Sequence, residues 1–188
     1  LRDTLYRLQG FAAPAVAWES SLLPHRIAGY SQDQLDQLLT TGEFMWLRPF
    51  TPVKSTHRIG PVRNTPIMFF ERDQIQNWLP WITHPDLSTG RLTSWASLSG
   101  QASRLRDVLL SNGASFFTDL MSMTGLLRSQ LEAALAELVA WGIVTSDSFS
   151  GLRVLTAPSS KRPGGRRDRR RRSRTVEAAG RWSLVEET

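Results

Sequence analysis

Nine of this chain's twenty-three basic residues fall in one run, KRPGGRRDRRRRSRT, residues 161 to 175, beside a single acid. Lys161, Arg162, Arg166, Arg167, Arg169, Arg170, Arg171, Arg172 and Arg174 have the charge to neutralise the phosphates of a nucleic acid. The whole chain carries +6, but without this run fourteen basic residues face sixteen acids. The basic balance therefore belongs to one segment. Other residue types able to do chemistry are sparse. There is no cysteine, so neither a disulfide nor a thiolate metal site is available. His25, His57 and His84 are scattered and share no metal-ligand spacing. Neither Lys54 nor Lys161 follows a glycine as a phosphate-cradling loop requires, and no Gly-x-Ser-x-Gly elbow occurs. Asp73, Asp86, Asp119 and Asp147 form no constellation that would make one of them a general acid or base. No catalytic residue, metal site or cofactor site is assigned.

The elements that must position any binding surface are clearest between Ser99 and Pro158. In SGQASRLRDVLLSNG, apolar residues recur at Ala102, Leu105, Val108 and Leu109, and Gly113 offers a stop. SFFTDLMSMTG predicts a second helix capped by Ser115, with Phe117, Leu120 and Met121 inward. In LLRSQLEAALAELVAWG, Ser129 and Glu132 have capping-box spacing, and a third helix is expected from near Gln130 to before Gly142. Its stripe is Leu131, Ala134, Leu135, Leu138 and Trp141, leaving Glu132, Ala133, Ala136, Glu137 and Ala140 outward. GIVTSDSFSGLRVLTAP reads as a strand over 143–145, a turn, and a strand over 152–156. Three helices and a hairpin make a winged helix.

The first fifty residues read as part of a related unit. Ser31 and Gln34 form a capping box ahead of Leu35, Leu38, Leu39 and Gly42, and EFMWLRPF is a strand. Upstream, APAVAWESSLLPHRI supplies an earlier helix broken at Pro24. The fold class is thus α+β and mainly helical, with winged-helix (helix-turn-helix plus β-hairpin) units and an ordered connector. The expected divisions are a partial unit at 1–50, a connector at 51–98 holding the strand PIMFF and a tryptophan-rich NWLPW, and a winged helix at 99–158. A basic linker at 159–175 and the start of a further domain at 176–188 complete the expectation. The ends read as cuts in a longer polypeptide. No apolar run nears the ~20 residues of a membrane helix, and a cytoplasmic location is expected.

The wording of two stretches resembles one family. ELVAWGIVTSDSFSGLRVL is similar to the end of a winged helix in the Lhr (large helicase-related) proteins, bacterial superfamily 2 DNA helicases. WESSLLPHRIAGYSQDQLDQLLTTGEFMW resembles an upstream segment of that family through Trp18 and Glu19, then Leu23, Pro24 and Arg26. It continues through Leu35, Asp36 and Leu38, then Gly42 and Glu43, and Trp46. The match runs in order over most of residues 10 to 158. The resemblance implies a 3′-to-5′ ATP-driven translocase on single-stranded DNA, linked to DNA repair. Its motor, with ATP and Mg2+, would lie N-terminal to this stretch, which lacks a phosphate-binding loop and a DEAD- or DEAH-type acidic pair. In long members a C-terminal extension is similar to winged-helix DNA glycosylases.

The expected partners are DNA, chiefly single-stranded, and other domains of the same chain, with no membrane. The acidic outer face of the third helix is unsuited to reading bases. Arg128 before that helix, Arg153 on the wing, and Arg104 and Arg106 on the first helix are the candidate phosphate contacts. Trp78 and Trp81 are the candidates for stacking on unpaired bases. The expected function is an accessory winged-helix region that binds DNA without sequence preference. Part of a glycosylase-like module and a sequence-specific repressor are the alternatives.

Overall fold

The computed structural model describes residues 1–49, 64–82, 98–156 and 180–185. The first unit comprises α1 (Arg2–Arg7), β1 (Ala13–Pro14), α2 (Ala15–Ala17) continued by a π turn at Trp18–Leu22, α3 (Gln32–Thr40), β2 (Phe44–Leu47) and β3 (Pro66–Glu71). A single 3-10 turn then leads into α4 (Ile75–Ile82). The second unit comprises α5 (Gly100–Asn112), β4 (Ser115–Phe116), α6 (Phe117–Thr124), α7 (Arg128–Ala140), β5 (Val144–Ser146), α8 (Ser150–Thr156) and β6 (Arg181–Leu184). Each unit has a three-stranded antiparallel sheet, ordered β1-β3-β2 in the first and β4-β6-β5 in the second. Both are winged helices of one topology, so the first unit extends through PIMFF to Glu71 instead of ending near residue 50.

Local sequence accounts for most of these elements. Ser31 N donates to Gln34 Oε1 at 3.1 Å, closing the expected capping box of α3, whose Leu35 and Leu39 are buried. Ser99 Oγ accepts from Ala102 N to start α5, and Gly113 ends it at φ 69°. The expected stripe of α7 is buried except for Trp141, which is half-buried, and Ala140 turns inward as well. Two expected caps are replaced. α7 starts at Arg128, where Gln130 Oε1 accepts from Leu127 N at 2.9 Å in place of the Ser129–Glu132 box. Ser115 lies in β4 and donates to Gly113 O, so it does not cap α6.

The wing differs most from expectation. Residues 152–156 are helical: Phe149 N donates to Asp36 Oδ1 at 2.9 Å and Ser150 N to Ser148 Oγ at 3.0 Å, so the first unit caps α8. Tertiary capping overrides the strand propensity of Leu152, Val154 and Leu155. The true partner of β5 is β6, with Thr145 opposite Ser183. GRWSLV therefore supplies the middle strand of this sheet rather than opening a further domain, and Trp182 and Leu184 enter the core.

One hydrophobic core spans both units. Trp18 packs edge-on to Phe69 at 4.7 Å, Phe69 meets Phe149 at 5.5 Å, and Trp46 stands edge-on to Phe149 and Trp182, both at 6.2 Å. Such edge-to-face pairs add to the burial of large apolar surface. Strands β2 and β5, each at a sheet edge, abut along a seam: the Thr145 hydroxyl donates to Trp46 O, and Trp46 Nε1 donates to Ser148 O at 3.1 Å. Gly142 sits at φ 72°, and a Cβ there would approach Arg48 O to 2.9 Å. Gly142→Ala is expected to lower stability by about 3 kcal/mol, from left-handed strain and seam overlap together. Thermal unfolding measures this; an unchanged Tm would show that the seam is not tightly closed.

Candidate nucleic-acid interface

A winged helix that reads DNA does so with the outer face of its third helix. Here α7 has its outward side chains occupied. Arg128 Nε donates to Glu132 Oε1 at 3.2 Å and its guanidinium lies 5.9 Å over the Phe117 ring. Glu137 accepts from both Ser99 N, at 2.7 Å, and Ser99 Oγ, at 2.6 Å, tying α7 to the start of α5. The equivalent helix α3 exposes Gln32, Asp33, Gln37 and Thr40. Neither face presents a guanidinium to solvent beyond the Glu132-paired Arg128 at the start of α7.

Arg153 is not a free phosphate contact. On α8 it reaches back to the first unit, donating from Nε and Nη2 to the two oxygens of Glu19 at 2.6 and 2.8 Å. Nη1 donates to Asp36 Oδ2 at 2.6 Å, and Phe149 lies 5.7 Å beneath the guanidinium. Burial alone would lower the Arg153 pKa, but hydrogen bonds and charge from Glu19 and Asp36 reverse this and hold it above its ordinary value. Tyr30 donates its hydroxyl to Glu19 Oε1 at 2.9 Å. Burial, then the Glu19 charge, holds that phenol above its usual range, so it stays a donor. Three of the residues that carry the family resemblance thus have structural roles: Glu19 and Asp36 hold Arg153, and Trp18 Nε1 donates to Ile67 O.

The other candidates separate. Arg104 is exposed beside the turn between α6 and α7, its Nη2 3.9 Å from where a Gly125 Cβ would lie. Arg106 pairs with Asp107. Trp78 is half-buried against Phe70, at 5.1 Å, and against Gly10, whereas Trp81 is 84% exposed. The expected stacking pair is therefore split. Lys161 through Arg174 lie outside the described residues, but β5–β6 pairing puts that sequence between the two strands of the second wing. At its root Asp147 accepts from Arg181 N at 2.6 Å and Arg181 Nε at 3.0 Å.

No group of three or more His, Asp or Glu among the described residues could hold a metal, and no helix among them is long and apolar enough to cross a membrane. His25 binds Ser21 O locally; His57, His84 and Asp86 fall outside the described residues. Glu19 and Arg48 were not singled out as site residues because nothing in their local spacing marks them.

By fold this is a tandem winged-helix protein. Residues 1–70 match the winged-helix domain of the large helicase-related proteins. The chain is 29% identical to the Lhr helicase/uracil glycosylase of Escherichia coli (strain K12) over 203 residues, covering 96% of this chain and 12% of that protein. It is also 29% identical to the Lhr helicase/probable uracil glycosylase of Mycolicibacterium smegmatis over 206 residues, covering 98% of this chain and 12% of that protein. The likeness to the Lhr family read from Trp18 to Trp46 is thereby borne out, and the chain spans about an eighth of these relatives' length.

Arg153→Met is expected to cost about 2–4 kcal/mol, since it strands Glu19 and Asp36 without their cation. Chemical denaturation should show the loss equally at low and high salt, as expected of a shielded pair; a loss confined to low salt would mean a screened surface interaction.

Proposed function

We propose that this chain is an accessory tandem winged helix of an Lhr-type, ATP-dependent 3′-to-5′ DNA helicase acting in DNA repair. It holds DNA, preferably single-stranded, without reading its sequence and performs no chemistry of its own. ATP and Mg2+ serve a motor elsewhere in the parent polypeptide, which works in the cytoplasm. One observation carries this reading: charge is partitioned between helices and wings. The described residues hold ten arginines against twelve carboxylates. The segment joining β2 to β3 contains Arg48, Lys54, Arg58 and Arg63 and no acid, and that joining β5 to β6 contains ten basic residues and three acids. Phosphate attraction therefore resides in the wings, while the helices that would enter a groove are neutral or acidic. Such binding is governed by counterion release.

Fluorescence anisotropy with a labelled single strand over a salt series tests this on the full chain and on a version lacking residues 161–174. If the run engages ~7 single-strand phosphates, log affinity falls with log salt at a slope near −5, and the deletion abolishes most of that slope. Undiminished binding by the deleted chain would remove the second wing from the interface. A base-substitution scan is expected to show no preference; a discrete consensus would favour a sequence-specific regulator instead. The glycosylase reading has the names of both relatives in its favour. Release of uracil from DNA by this chain alone would establish it.

A further inference from the structure

Trp81 is the described tryptophan that the fold does not use. Trp18, Trp46 and Trp182 are buried in the shared core, Trp141 packs against it, and Trp78 packs against the smaller cluster of Met45, Leu47 and Phe70. Ile75, Trp78, Leu79 and Ile82 form the inward stripe of α4, so Trp81 lies on the opposite side of the helix and is exposed. Gln74 and Asn77 share that outward face, since the three residues are spaced i, i+3 and i+7, and both are exposed. Asn77 Nδ2 donates to Gln74 Oε1 at 3.1 Å, which leaves the Asn77 oxygen and the Gln74 amino group unpaired among the described residues. An indole left in water adds nothing to folding stability, and covering its face is favourable.

We propose that Trp81 stacks on an unpaired base of a nucleic-acid strand, with the amides of Gln74 and Asn77 meeting the edge of that base. This rests on the DNA-binding reading above and adds to it a contact made through a base instead of through charge. The surroundings suit such an occupant. No residue of α4 is charged, so unlike α3 and α7 it sets no carboxylate against a phosphate chain. A Cβ at Gly10 would lie 3.0 Å from the Trp78 ring, so Trp78 holds the segment that follows α1 against α4. Arg7, the last residue of α1, is exposed and has no carboxylate partner among the described residues. A cation near an exposed ring matches a phosphate linked to a stacked base. An indole face accepts any base and a primary amide can donate or accept, so the subsite agrees with binding that ignores sequence.

Fluorescence anisotropy on the full chain compares a short oligo-dT strand with an abasic strand of the same length and charge, for the parent, Trp81→Ala and Trp81→Phe. The parent is expected to favour oligo-dT about tenfold. Trp81→Ala should lose most of that preference and Trp81→Phe keep most of it. Salt slope and Tm should match the parent in both variants, because the phosphates are still met and the altered side chain is exposed. An undiminished preference in Trp81→Ala, or an equal loss of affinity for both strands, overturns the inference. A lower Tm in both variants also overturns it, since the ring would then belong to the fold. So does sedimentation showing a self-associated parent that Trp81→Ala makes monomeric, a second copy then being what covers the ring. A parent that binds both strands alike sinks this inference alone; a parent that binds neither at low salt sinks the broader reading with it.

Discussion

The charge at Arg153 is what makes two winged helices one body. A guanidinium is costly to withdraw from water unless its donors are matched, and here the matches come from the other unit: Glu19 from the π turn after α2 and Asp36 from α3. The match fixes more than one contact. Asp36 uses its second oxygen to receive Phe149 N, so the same carboxylate that pairs with Arg153 also starts the helix that carries it. Because α8 must be helical to place Arg153 there, the wing cannot close directly after β5. The chain returns only at Gly180, where a Cβ would collide with the Asp147 carboxylate.

The second constraint is the fate of sheet edges. Exposed edge strands invite unwanted pairing, and β2 and β5 are both edges. They cover each other. Trp46 meets Thr145 while Arg48 meets Gly142, so the strands run in opposite directions along the seam. The two units also correspond at a separation of one hundred residues: Leu35 with Leu135, Leu38 with Leu138, Leu39 with Val139, and Gly42 with Gly142. Equivalent strands therefore face each other across a pseudo-two-fold seam. Neither sheet would keep that edge covered alone.

Helical periodicity made most of the helices legible before any coordinates, because an apolar stripe reports burial directly. The buried faces of α3, α5 and α7 follow from Leu35 and Leu39, from Leu105 and Leu109, and from Leu131, Leu135 and Leu138. Strand pairing was less legible. The distance between β5 and β6 hid their hairpin, and a turn after Asp147 read as its tip. Residues 152–156 misled for a related reason: their helix is capped by Asp36, 113 positions from Phe149, and local spacing cannot report such a contact. The candidate site suffered in the same way. Arg153 looked like a free cation because its two carboxylates lie 134 and 117 positions away.

These pairs, one within α7 and the others long-range, explain why the helix faces are poor in positive charge. Glu137 anchors the start of α5, Glu132 holds Arg128, and Asp36 holds both Arg153 and the N-terminus of α8. The carboxylates that would repel a phosphate are the ones that join the elements. Making either helix basic would dismantle these joints. The acidic character of the helix faces is thus a consequence of how the two units are held together, since each of these carboxylates already has a partner within the fold.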